Sequence, residues 1–269
     1  MKIFQGIILL VLAGGICAGC SSDSKRTALR PAEPNRSTPA PSPHKSEPLK
    51  PIDPEKSTHL MGRWGFDETA GATASDGSSH QRGATLQGGL SFENDSVPGR
   101  LGRALRLDGR DDHLEIVGYK GVLGPSPRTV TAWIKTDTKR GEIASWGLDE
   151  FGRRFTFRIV RSGIYTDPRG GYLYTKLPVH DNRWHHVAVV VLPAERPNLH
   201  DHVRLYKDGL LQEIHDIGLL DLWPIDTRAG VDLRLGRGFK GLLDEVRLYD
   251  CALTDDQIKT LASPAPSPQ

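Results

Sequence analysis

Residues 241–258 read GLLDEVRLYDCALTDDQI, and the reading of this stretch decides the fold. Side chains alternate between the two faces of a β-strand. Val246 and Leu248 then mark a core face, which Asp244 shares by parity, while Glu245 falls with Arg247 and Tyr249. Two adjacent acids invite a glycosidase reading, because glycoside hydrolysis uses a pair of carboxylates on either side of one bond. Neighbours in a strand point to opposite faces, so Asp244 and Glu245 cannot form that pair. After the strand, Thr254 and Gln257 have capping-box spacing, with Leu253 and Ile258 placed as a hydrophobic staple. The stretch therefore predicts a closing strand, a short helix, and acids that belong to the scaffold.

The same period of two recurs upstream. TVTAWIKT (129–136) alternates Val130, Ala132 and Ile134 against Thr131 and Trp133. RRFTFRIV (153–160) alternates Phe155, Phe157 and Ile159 against Arg154, Thr156 and Arg158. RWHHVAVVVL (183–192) is apolar on both faces and reads as a central strand, and Asp208-Gly209 marks a hairpin turn. Short strands at this regular spacing, separated by Gly, Asp and Pro turns, predict an all-β domain over residues 59–262.

The ends are of another kind. Residues 1–19 have the order of a secretory signal peptide: Lys2, an apolar run, then small residues. Residues 20–58 are rich in Pro, Ser and charge, too poor in apolar groups to build a core, and are expected to form a disordered tether. Residues 263–269 are a short tail of the same type. With 35 Lys and Arg interleaved among 33 Asp and Glu, the chain offers no electrostatic case for nucleic acid. Of three cysteines, only Cys251 lies in the domain, where it is expected to be a packed residue.

Two resemblances sharpen this. The segment CAGC (17–20) resembles the bacterial lipobox, which implies lipidation of Cys20 (palmitate among the chains) and a membrane-anchored envelope lipoprotein, with the outer membrane favoured. Residues 60–261 carry, in order, RWGFDETAGATASDGSSHQRGATL, LGRALRLDGRDDHLEI, TVTAWIKT, NRWHHVAVV, VRLYKDG and LRLGRGFKGLLDEVRLYDCALTDDQI. This series resembles the laminin-G-like jelly rolls of the concanavalin A-like lectin/glucanase superfamily. The resemblance implies a two-sheet antiparallel jelly-roll sandwich that binds a glycan or an envelope protein, or serves adhesion without a small ligand. The glucanase branch carries spaced acids along one strand, Glu-x-Asp-x-x-Glu or Glu-x-Asp-x-Glu, and no such triplet occurs here, so a non-catalytic role is expected, with a degenerate glycoside hydrolase as the enzyme alternative. The resemblance also implies a structural Ca²⁺, with Asp67, Asp108, Asp111, Asp112 and Asp244 as its ligands; hard oxygen donors from several loops suit that ion. Turn geometry and backbone N–H bonds are the alternative role for those acids.

For a ligand surface the aromatics Trp146, Tyr165 and Tyr172 are the expected contacts, with Tyr165 the most exposed because it lies among turn residues. Tyr174 and Trp133 belong to the same cluster. The histidines 180–215 include no third ligand spaced to complete a zinc site.

Overall fold

The computed structural model describes residues 53–161, 163–215 and 223–263. The signal peptide, Cys20, most of the tether and the last six residues lie outside them. In chain order the elements begin with β1 (Leu60–Trp64), β2 (Thr73–Ala74), β3 (Ala84–Gln87), α1 (Phe92–Asp95), β4 (Ser96–Pro98), β5 (Arg103–Asp108) and β6 (His113–Ile116). The middle comprises β7 (Arg128–Lys135), β8 (Gly141–Gly147), β9 (Arg154–Val160), β10 (Gly163–Asp167), β11 (Leu173–Thr175) and β12 (Trp184–Val191). Then follow α2 (Leu199–His202), β13 (Val203–Lys207), β14 (Leu210–Leu211), β15 (Ile214–His215), β16 (Val231–Leu235), β17 (Lys240–Tyr249) and α3 (Asp255–Ala262).

These strands make two antiparallel sheets. The first runs β14-β13-β12-β7-β17-β5-β4, with β1 also paired to β17; the second runs β15-β11-β10-β9-β8-β16-β6-β3-β2. The alternating apolar positions meet between them: Val130, Ala132 and Ile134 of β7 and Phe155, Phe157 and Ile159 of β9 share one core. The central strand buries both faces, as its composition predicts. Val187, Val189 and Val191 enter that core, while Ala188 and Val190 join a second cluster on the outer face of the first sheet. There α3 covers the sheet, with its capping box formed and Leu253 and Ile258 buried together. Cys251 packs against the same cluster, and burial pushes its thiol up to about 11, so it stays protonated. Asp208 and Gly209 both take positive φ, 52° and 78°, in the two-residue turn between β13 and β14.

The closing strand departs from simple alternation. Its ladder with β7 shifts between Asp244 and Arg247, and Glu245 sits in the left-handed region at φ 49°. The bulge adds one residue, so the core positions are Leu243, Val246 and Leu248, with both acids between the first two. Asp244 therefore does not share the core face, and the two acids are not divided by strand parity as the sequence predicts.

The domain also starts earlier than residue 59. Pro54–Lys56 form a 3-10 turn with Pro54 buried, and Glu55 reaches back to the Arg247 guanidinium at 2.6 Å.

Candidate ligand-binding face

The acids of β17 are engaged by the scaffold. Glu245 accepts from Arg63 Nε and Nη2 at 3.0 and 2.9 Å and lies 2.7 Å from Arg247. Burial would raise its pKa, but these two guanidinium groups hold it below the ordinary range. Asp244 Oδ2 accepts the backbone N–H groups of Arg100 and Leu101, whereas its buried Oδ1 has no hydrogen-bond partner. Both residues are buried.

The five acids expected at one calcium ion separate into two places. Asp108, Asp111 and Asp112 bring ligand oxygens within 4.8 Å of one another. Two of them serve the turn: Asp112 accepts the Asp108 N–H and Asp108 accepts the Arg110 N–H. Asp67 and Asp244 instead brace the loop between β4 and β5, Asp67 accepting the Arg103 N–H at 2.8 Å. Only Asp244 among the five keeps a buried oxygen without a partner.

Two of the aromatics depart from expectation. Trp146 is wholly buried, its indole N–H donating to the Val122 carbonyl, because Gly121 lets the chain pass against the ring. It belongs to the core and offers no surface. Tyr165 lies in β10 rather than a turn and is only 9% exposed. Arg158 caps one side of its ring at 4.3 Å, and Tyr172 stacks at 5.3 Å. Tyr172, Tyr174 and His215 continue the column, with centroid separations of 6.0 and 4.9 Å. The ring faces are thus occupied by one another, and Tyr172 and His215 are the exposed members. Trp133 is buried on the outer face of the first sheet, edge-on to His186 and beneath Arg100. Burial pushes His186 down to about 3, so it is a neutral packed residue.

What the structure assembles instead lies on the outer face of the second sheet. Phe155, Phe157 and Ile159 enter the core, so Arg154, Thr156 and Arg158 face outward along β9. Together with Glu142, Asp149, Asp167 and Arg169 they line a cleft of about 270 Å³. Its charges are matched: Arg154 pairs with Glu142 at 3.2 Å and Asp149 at 3.4 Å, and Arg158 with Asp167 at 3.6 Å. The hydrogen bond from Arg169 holds the Asp149 carboxylate low, whereas burial pushes Asp167 up. The Nε–H donors of Arg154 and Arg158 are buried without a partner.

Three loops build one end of this cleft. Gly152 N–H donates to the Arg169 carbonyl and Asp226 N–H to the Gly152 carbonyl, both at 2.9 Å. Arg153 pairs with Asp226. The loops present Phe151 and Trp223, 55% and 42% exposed, stacked at 5.1 Å and 17°. A Cβ on Gly170 would come within 2.7 Å of both rings, so only glycine lets the third loop approach them so closely. Sequence reasoning missed this pair because 72 positions separate its members; the only local signal is an isolated aromatic beside a turn glycine, Phe151-Gly152, and a Trp223-Pro224 step.

The laminin G family model, described as the concanavalin A-like lectin/glucanases superfamily, matches residues 108–259. The chain belongs to that superfamily. Among solved structures, this superfamily member is similar to domain 4 of AbnA, an extracellular arabinanase from Geobacillus stearothermophilus in complex with arabinotriose. The likeness has a TM-score of 0.56 at 19% identity and covers 76% of this chain and 98% of that one. It is similar also to the binding domain of Paraclostridial Mosquitocidal Protein 1, with a TM-score of 0.55 at 17% identity, covering 76% of this chain and 52% of that one. The receptor binding domain of botulinum neurotoxin D follows at 0.50 and 13%, with 76% and 52% covered. At these identities the likeness is one of fold. No curated protein sequence matches the chain.

Proposed function

We propose that this lectin/glucanase-superfamily domain is a non-catalytic glycan-binding module of a cell-envelope lipoprotein. The observation that carries the reading is the exposed Phe151–Trp223 pair beside a polar cleft lined by Arg154, Arg158 and Arg169. Sugars present apolar C–H faces to aromatic rings and hydroxyl oxygens to fixed donors. Because the acids and arginines of this cleft neutralise one another, a hydroxyl-rich, uncharged sugar suits it better than an ion. Trp223→Ala removes the ring while leaving the core untouched, and it should weaken glycan binding at least tenfold, about 1.4 kcal/mol. Array screening of residues 53–269 followed by calorimetry of wild type and variant measures this. Binding unaffected by the substitution would move the site elsewhere, and turnover of any polysaccharide would overturn the non-catalytic reading.

The anchor follows from the lipobox resemblance at Cys20. Metabolic labelling with palmitate should mark the wild type and not Cys20→Ser, which should leave the membrane fraction. Equal labelling of both would rule out that attachment site.

A further inference from the structure

A second cleft, about 350 Å³, adjoins the first. Arg140, Gly141, Glu142, Arg158 and Arg237 are among its lining residues, so Glu142 and Arg158 belong to both. The two follow β9 from Arg154 to Val160, a run of about 20 Å at ~3.3 Å per residue. The shared pair stands face to face, since Glu142 and Arg158 are directly opposed in the β8–β9 ladder.

The ends of this trough differ in charge. At the aromatic end each acid meets an arginine. At the other end Arg158 is paired with Asp167, and the two remaining arginines, Arg140 and Arg237, stand beside only Glu142, whose carboxylate is already taken by Arg154 and the Ser145 hydroxyl. The Arg140 and Arg237 side chains are exposed and make no ion pair among the described residues. The Arg237 turn is tied to the start of β8, the Glu142 N–H donating to the Arg237 carbonyl at 2.9 Å, and close glycine packing fixes the wall: a Cβ on Gly141 would meet Phe239 Cα at 2.5 Å. Guanidinium groups favour planar oxyanions such as carboxylate, which they bind through paired N–H donors.

We propose that the two clefts form one trough and that its ligand is an acidic oligosaccharide, with an uncharged sugar on Phe151 and Trp223 and an anionic group at Arg140 and Arg237. This rests on the glycan reading above and adds to it the charge of the ligand and the direction in which it lies, along β9. Carboxylate and sulfate esters share the chemistry that the arginines recognise, and the probes separate them.

Calorimetry with three oligosaccharide sets of matched length tests this: neutral galactans, oligogalacturonates and sulfated galactans. One acidic set should bind at least tenfold more tightly than the neutral one. Arg140→Ala/Arg237→Ala, two exposed positions with an unchanged melting temperature expected, should erase that advantage and leave neutral binding as it was. Trp223→Ala should weaken both. If acidic and neutral sets bind equally, or the double variant keeps the preference, the acidic inference fails while glycan binding stands. If none of the sets binds, both readings fail. Acidic binding that survives Trp223→Ala and is matched by polyphosphate of equal charge would be ion exchange, and would also overturn the proposal.

Discussion

Replacing Glu245 by glutamine should lower the unfolding free energy by about 3–5 kcal/mol, the cost of removing one partner from a buried ion pair. Glutamine keeps the shape of the side chain and removes the charge. Arg247 is only 3% exposed and would then keep Glu55 as its sole charged partner, while Arg63, more than a third exposed, can rehydrate and contributes little. The charge of Glu245 is therefore needed chiefly by Arg247. The pH dependence has a definite sign. The folded-state pKa of Glu245 is depressed, so its contribution is present above the ordinary glutamate range near 4.3 and is lost as pH falls through the lower folded value. Urea unfolding of wild type and Glu245→Gln at pH 7 reads the loss directly. A difference below about 1 kcal/mol, the size of an exposed pair, would mean that Glu55 alone holds Arg247.

The sandwich was legible in the sequence because alternate positions of β7, β9 and β12 supply one shared core, a period-two rule that holds even where β7 and β12 bury their other face as well. The capping box of α3 and the Asp208-Gly209 turn were legible for the same reason: each is a local rule satisfied by adjacent residues. The bulge in β17 was not. Glu245 at positive φ carries no residue signature, since glycine or asparagine would ordinarily mark that conformation. One unannounced extra residue reverses every parity argument on its N-terminal side, and Asp244 was placed on the wrong face for that reason.

The candidate site was less legible than the fold. Tyr165 and Tyr172, expected as exposed ligand contacts, stack on one another, and the cross-strand register that seats Arg158 beside Tyr165 turns the column into a packed wall. Trp146 has the composition of a surface contact and the environment of a core residue, which depends on Gly121 25 positions away. The exposed platform and the two-ended trough arise from loops that meet only after both sheets form. Such a juxtaposition is a product of topology, and no window along the chain contains it.

Asp244→Asn should make the protein more stable at pH 8 and flatten its pH dependence between pH 5 and 8. Burial, reinforced by the charges of Glu245 and Asp67, pushes the Asp244 carboxyl up to about 7, against the two backbone N–H groups that favour the anion. A carboxyl raised in the fold prefers its proton there. Its stabilising contribution is complete below the unfolded value near 3.9 and is lost as pH rises through about 7. The rise from the ordinary carboxylate range to about 7 corresponds to roughly 4 kcal/mol, an upper figure for what the wild type loses by pH 8. Asparagine keeps an oxygen for the Arg100 and Leu101 amides and carries no charge, so it escapes that loss. The same geometry separates proton from metal. Oδ1 is buried and unpartnered, and a Ca²⁺ ion there would hold the ionised carboxylate that a proton otherwise neutralises. Melting temperatures from pH 5 to 8 in EDTA should therefore fall for the wild type and stay level for Asp244→Asn. If Ca²⁺ restores the wild type at pH 8 and does nothing for the variant, Asp244 is a calcium ligand; if it restores neither, the proton is the sole partner of Oδ1. A wild type equally stable at both pH values in EDTA, with Asp244→Asn weaker throughout, would show that the buried carboxylate is stable as an anion.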